Sequence, residues 1–140
     1  MATGQQISNG RYKLTCLGGG GILRQDKGGK AILSSPADDD GERWDVAFDG
    51  QGGYTLRNVA TGLYLGSKTD PSTMAAMLEG VSEPFAWKVG PGNYPGTITL
   101  SPAANGAMAL GPSLLKIYPP PAGWAPKELN PDLCWELASA

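Results

Sequence analysis

The chain contains no histidine, which excludes Ser-His-Asp and Cys-His nucleophile systems, imidazole acid–base chemistry and histidine metal sites together. An enzyme is not expected, and neither is a cofactor or a metal. Charge is sparse and balanced: 11 Lys and Arg stand against 13 Asp and Glu, a net charge of -2. No basic run is present that could neutralise a phosphate backbone or an anionic bilayer, so nucleic acid and membrane are not expected partners. No stretch approaches the roughly 20 apolar residues of a membrane span. Met1-Ala2-Thr3-Gly4-Gln5-Gln6 lacks the charged and apolar regions of a signal peptide, and a cytoplasmic location is expected. Cysteine is reduced to Cys16 and Cys134, too few for a disulfide framework.

What is abundant is punctuation. The 140 residues include 21 Gly and 12 Pro, alongside 4 Trp, 5 Tyr and evenly spread Leu, Ile and Val that can supply a core. That mixture fits many turns and short strands within one domain of ordinary size, about 100–200 residues.

Internal repetition is the strongest signal. Tyr12-x-Leu14 returns as Tyr54-x-Leu56 and Ile98-x-Leu100, and the glycines Gly20, Gly62 and Gly106 follow those leucines at a fixed distance. Next come Gly21-Ile22-Leu23, Leu63-Tyr64-Leu65 and Ala107-Met108-Ala109-Leu110. Each unit closes on a tryptophan that opens an alternating segment: Trp44-Asp45-Val46, Trp87-Lys88-Val89 and Trp135-Glu136-Leu137.

Alternation of period two between Gly, Pro, Asn and Asp clusters predicts antiparallel strands, four to a unit. They are expected near Arg11–Cys16, Ile22–Arg24, Ala31–Leu33 and Trp44–Phe48, then Tyr54–Asn58, Leu63–Leu65, Met74–Leu78 and Trp87–Val89. The third set is Thr97–Leu100, Ala107–Leu110, Leu114–Tyr118 and Cys134–Leu137. Ser72–Leu78 could also form one helical turn capped by Ser72, but its place in the repeat favours a strand. A propeller needs at least four blades to close. Three units predict an all-β fold, a β-trefoil of three four-stranded repeats with pseudo-threefold symmetry. The single domain spans 1–140, with repeats of about 9–50, 51–91 and 92–140.

Its expected core is Tyr12, Leu14, Leu23, Val46, Tyr54, Leu56, Leu65, Val89, Ile98, Leu100, Leu110 and Leu137 with Trp44, Trp87 and Trp135. The first and last strands should pair antiparallel, so that Tyr12, Leu14, Trp135 and Leu137 point inward. Parity then turns Cys16 inward and Cys134 outward, a core thiol and a surface thiol without a bridge.

Gly53-Tyr54-Thr55-Leu56-Arg57-Asn58-Val59-Ala60-Thr61-Gly62-Leu63-Tyr64-Leu65 resembles the repeat opening of small fungal β-trefoil proteins, the ricin-B-like lectins and trefoil protease inhibitors. The Gln-x-Trp of ricin-type lectins is replaced by Glu42-Arg43-Trp44, Phe85-Ala86-Trp87 and Leu133-Cys134-Trp135. Pro119-Pro120-Pro121-Ala122-Gly123-Trp124 ahead of Pro131-Asp132-Leu133-Cys134-Trp135-Glu136-Leu137 is similar to the C-terminus of mushroom serine-protease inhibitors. The resemblance implies a lectin for galactose or N-acetylgalactosamine-type sugars, with glycans or glycoproteins as partners and a homodimer as a route to avidity. The alternative it leaves open is a serine or cysteine protease inhibitor.

Sugar recognition needs directional acceptors and donors beside a ring. The sugar-binding candidates are Asp26, Asn58, Asp70, Asn105 and Asp132, with Trp124 as the aromatic outside the repeat pattern and therefore expected at an exposed contact. Asp and Asn also serve turns through their own backbone hydrogen bonds, so convergence in space must separate ligand from turn. For inhibition, Arg24 and Lys27 in Arg24-Gln25-Asp26-Lys27-Gly28-Gly29-Lys30, or Lys127 after Pro126, could enter a specificity pocket. Asp38-Asp39-Asp40 with Glu42 lacks the ligand spacing of a calcium loop and is expected to solvate a turn. Gly18-Gly19-Gly20-Gly21 matches no phosphate-binding pattern.

Overall fold

In Trp44-Asp45-Val46 and Tyr54-Thr55-Leu56 every second side chain is buried, the spacing that puts one face of a strand on a core. A computed structural model describes residues 7–17, 21–68, 77–113, 120–127 and 133–140. Among them run twelve strands. They are β1 (Gly10–Cys16), β2 (Ile22–Gln25), β3 (Ala31–Ser34), β4 (Trp44–Phe48), β5 (Tyr54–Asn58) and β6 (Tyr64–Gly66). The second half adds β7 (Glu79–Val81), β8 (Trp87–Pro91), β9 (Ile98–Pro102), β10 (Met108–Pro112), β11 (Ala122–Pro126) and β12 (Trp135–Ser139). One 3-10 turn, Asp40–Glu42, precedes β4.

Six strands close a barrel. β1 pairs with β4, β4 with β5, β5 with β8, β8 with β9, β9 with β12 and β12 with β1, all antiparallel. Closure leaves no barrel edge to template another chain. The other six strands form three hairpins, β2–β3, β6–β7 and β10–β11. Their registers align Leu23 with Leu33, Leu65 with Gly80, and Leu110 with Trp124. Two residues before each of those partners stand Ala31, Leu78 and Ala122, all fully buried. Ala31 N–H donates to the Leu78 carbonyl (3.0 Å) and Leu78 N–H to that of Ala122 (2.9 Å), joining the hairpins around the pseudo-threefold axis. Three four-stranded repeats arranged this way are a β-trefoil.

The tryptophans carry the same symmetry. Trp44 Nε1 donates to the Leu23 carbonyl (3.1 Å), Trp87 Nε1 to Leu65 (2.9 Å) and Trp135 Nε1 to Leu110 (2.9 Å). All three indoles are 0% exposed, which is tolerable because each polar N–H meets a backbone acceptor. Leu14, Leu23, Val46, Tyr54, Leu56, Leu65, Ile98, Leu100 and Leu110 join them in the core, with Tyr12, Val89 and Leu137 packed at its margin.

Four expectations are corrected. The third strand of the second repeat is Glu79–Val81, beyond Met74–Leu78. Within that expected span, residues 74–76 lie outside the described residues. The third strand of the last repeat is Ala122–Pro126, whereas Leu114–Tyr118 lies outside the described residues. Trp124 therefore belongs to the repeat. It occupies the register of Leu33 and Gly80, is 2% exposed, and stacks on Phe85 (5.9 Å between centroids) and edge-on against Trp87 (5.8 Å). Cys134 is buried, not at the surface. It precedes the β1–β12 ladder, in which Cys16 faces Trp135, so strand parity does not govern its side chain. Neither cysteine is in a disulfide. No helix among the described residues is long and apolar enough to cross a membrane.

Candidate functional site

The Trp-to-Leu hydrogen bonds supply a common frame for the repeats. One residue after each leucine come Arg24, Gly66 and Gly111, and two residues before each tryptophan come Glu42, Phe85 and Leu133. In the first two repeats a surface pocket opens beside this pair of positions.

The first pocket, about 600 Å³, is lined by Arg24, Gln25, Asp26, Lys27, Asp39, Asp40 and the edge of the β5–β6 turn. Glu42 lies beneath it, fully buried yet well partnered. Its carboxylate accepts from the backbone N–H of Ala37 (2.8 Å) and Asp38 (2.7 Å) and pairs with Arg24 (3.3 Å) and Lys13 (3.4 Å). Arg24 also grips Asp39, Lys13 holds Asp38 (2.8 Å), and Arg43 reaches both Asp38 (2.7 Å) and Asp40 (3.3 Å). The acidic triplet is thus tied down by three cations. The Lys13 hydrogen bond holds the Asp38 carboxyl below the ordinary carboxylate range, and Arg24 does the same for Asp39. Lys13 is in turn raised by its hydrogen bond to Asp38.

The second pocket, about 520 Å³, is lined by Leu63, Ser67, Lys68, Val81, Ser82, Glu83, Pro84 and Phe85. Phe85 stands where Glu42 stands in the first repeat. Gly66, in the place of Arg24, leaves it room. Among the described residues, Lys68, Ser82 and Glu83 make no side-chain hydrogen bond or ion pair, and all three are exposed.

Of the sequence candidates, Arg24, Asp26 and Lys27 converge in the first pocket. Asp26 Oδ1 accepts from Lys30 N–H (2.9 Å), and Asp26 N–H donates to the Lys30 carbonyl (2.9 Å) in a turn that uses Gly29 at φ 87°. Lys27 is exposed within that closed turn. Asn58 is 1% exposed: its Oδ1 accepts from Ala60 (3.0 Å) and Thr61 (3.2 Å) and its Nδ2 donates to the Gly41 carbonyl (2.9 Å). It organises the β5–β6 turn from inside, withdrawn from any surface ligand. Asn105 shapes the β9–β10 turn by accepting from Ala107 N–H (3.0 Å). Trp124, expected at an exposed contact, is in the core. Lys127 is exposed at the end of β11, its N–H bound to the Ala107 carbonyl (2.9 Å). Asp70 and Asp132 lie outside the described residues. No three His, Cys, Asp or Glu side chains among the described residues are placed to hold a metal ion.

Sequence reasoning missed Lys68, Ser82, Glu83 and Phe85. The signal available was positional: counting from Leu65 and from Trp87 lands on the same loops that Leu23 and Trp44 mark out around Asp26 and Asp39.

No family model matches the chain, and no curated protein matches its sequence. Solved structures match its shape. A ricin B-like lectin of Macrolepiota procera in complex with lactose superposes with a TM-score of 0.85 at 18% identity, over 96% of this chain and 99% of that one. The agglutinin of Rhizoctonia solani gives 0.82 at 16% identity, over 96% and 98%. ThreeFoil, a designed protein with threefold symmetry, gives 0.80 at 19% identity, over 94% and 100%. At these identities the likeness is one of architecture, and it makes the chain a β-trefoil over nearly its whole length.

Proposed function

We propose that the chain is a non-enzymatic carbohydrate-binding protein that takes galactose or N-acetylgalactosamine-type glycans, free or on glycoproteins, in a loop pocket beside its hairpins. The observation that carries this reading is a pocket recurring at the same place in two repeats, the second of them built from hydrogen-bonding and apolar side chains together. Such a mixture suits a sugar, which offers hydroxyls in fixed directions and an apolar ring face. A trefoil of nearly identical outline, the Macrolepiota procera lectin, is known with lactose bound.

The alternative, a serine or cysteine protease inhibitor, has Lys127 as its remaining support. Arg24 is held by Asp39 and Glu42, and Lys27 sits in a closed turn, whereas an inhibitory side chain must be presented on an extended, accessible segment.

Glycan-array binding of the purified protein with galactose competition tests the proposal, and competable binding supports it. A blank array, joined by inhibition of a trypsin-like protease that Lys127→Ala relieves, would overturn it in favour of the alternative.

A further inference from the structure

The two pockets occupy equivalent places in the trefoil but differ in what they leave free. In the first, Arg24, Asp39 and Asp40 are engaged in ion pairs, Asp26 closes its own turn, and Gln25 is joined to Thr61 and to the Gly29 carbonyl (3.1 Å). A sugar hydroxyl would have to displace charge-assisted bonds with neutral ones about half as strong. In the second, Lys68, Ser82 and Glu83 have no such internal partners among the described residues, and Phe85, Leu63, Val81 and Pro84 supply apolar surface beside them.

We infer that the second-repeat pocket, not its first-repeat counterpart, is the binding site, and that it takes an uncharged saccharide whose hydroxyls are met by Lys68, Ser82 and Glu83. Lys68 offers donors, Glu83 acceptors and Ser82 both, the combination that hydroxyl groups satisfy from either side. One cation and one anion leave the lining without net charge, so an acidic sugar would gain at Lys68 what it loses at Glu83. The polar groups of the first pocket are satisfied by the chain itself: Arg24 is paired with Glu42 and Asp39 there, where the second repeat has Gly66 packed under Phe85. This inference rests on the carbohydrate-binding reading above.

Titration of the whole chain with lactose and with N-acetylgalactosamine, followed by two-dimensional amide NMR, tests it. Shifts are expected at Gly66–Lys68 and Gly80–Phe85, with Asp26, Lys27 and Asp39–Gly41 unmoved. Glu83→Gln and Lys68→Ala, both at exposed positions, should each weaken binding roughly 10- to 100-fold, as losing a hydrogen bond from a charged group does. Asp26→Asn should leave it within about twofold, a surface change away from the contact. Shifts centred on the first pocket, or on the third repeat, would overturn this assignment while keeping the carbohydrate reading. No shift with either sugar and a blank glycan array would overturn both.

Discussion

The Phe85 side chain lies so close over Gly66 that a Cβ at that glycine would sit 2.9 Å from its methylene Cβ and from the ring atoms Cγ and Cδ2. The same two positions hold Arg24 with Glu42 in the first repeat and Gly111 with Leu133 in the third. Where the residue two before the tryptophan is large and apolar, its partner on the hairpin is a glycine. Where it is a buried carboxylate, its partner is a guanidinium. Leu133 crowds Gly111 as Phe85 crowds Gly66, so each repeat fills one space with a different pair.

Gly66→Ala should destabilise the chain by about 1–3 kcal/mol, because the ring must shift against Trp124 and Trp87 to admit the methyl group. In a Phe85→Ala background the same substitution should cost much less. Urea unfolding of the four proteins measures the coupling, and additive effects would show that the two side chains do not meet.

Glu42 supports the first repeat from beneath. Glu42→Gln keeps the volume but loses the charge that faces Arg24 and Lys13, and turns one acceptor into a donor aimed at a backbone N–H. A loss of roughly 1–3 kcal/mol is expected from the unsatisfied buried groups. Asp40→Asn, whose side chain is 62% exposed, should fall within about 0.5 kcal/mol of wild type. Equal unfolding midpoints for Glu42→Gln and wild type would remove Glu42 from this role.

Acid should loosen the same network. The folded-state values of Asp38 and Asp39 are depressed by Lys13 and Arg24, so their contribution is complete above the unfolded carboxylate value of about 3.9 and is lost as pH falls through the lower folded values. Lys13, raised by Asp38, contributes fully below its unfolded value of about 10.4 and loses that contribution as pH rises through the folded one. The thermal midpoint of Asp38→Asn should therefore fall less steeply than that of wild type below about pH 4. Asparagine tolerates the left-handed backbone of Asp38, φ 56°. Because Asp38 is largely exposed, added salt should narrow the difference.

The barrel was legible in the sequence because apolar residues alternate along parts of its strands and its landmarks recur: Tyr12-x-Leu14, Tyr54-x-Leu56 and Ile98-x-Leu100 in the first strand of each repeat, and a tryptophan at the head of the last. The hairpins were harder. Leu33, Gly80 and Trp124 share one register but no chemistry, and the stretch from Leu23 to Leu33 is shorter than those from Leu65 to Gly80 and Leu110 to Trp124. Trp124 consequently looked like a loop residue. Cys134 was misread because parity was extended one residue past the end of the ladder. The pockets were half legible, since Asp26 and Arg24 lie in one contiguous segment. Lys68 and Glu83, from segments apart in sequence, differ in type from their first-repeat counterparts, Asp26 and Asp40, so a search for recurring residues returns the core and passes over them.

Burial of both cysteines fixes the reactivity of their thiols. A thiol reagent should react slowly with the native protein and reach two thiols per chain once it is unfolded, while reducing agent leaves the unfolding midpoint unchanged. One rapidly reacting thiol in the native state would return Cys134 to the surface, and none after unfolding would mean a bridge.

The three indole hydrogen bonds allow the symmetry of the core to be measured as energy. Trp44→Phe, Trp87→Phe and Trp135→Phe each leave a buried carbonyl, on Leu23, Leu65 or Leu110, without its donor, which alone costs about 1–3 kcal/mol. A cavity adds to that at all three sites. Trp87 also touches Phe85 (5.2 Å) and Trp124 (5.8 Å), and aromatic pairs of this kind are worth about 0.5–1.5 kcal/mol beyond their buried area. Trp87→Phe should therefore be the most destabilising of the three in urea unfolding, although a phenyl ring retains part of those contacts. Trp44→Phe and Trp135→Phe should lie close together. A Trp87→Phe loss no larger than the other two would mean that the aromatic cluster spanning the second and third repeats adds nothing to the shared hydrogen bond.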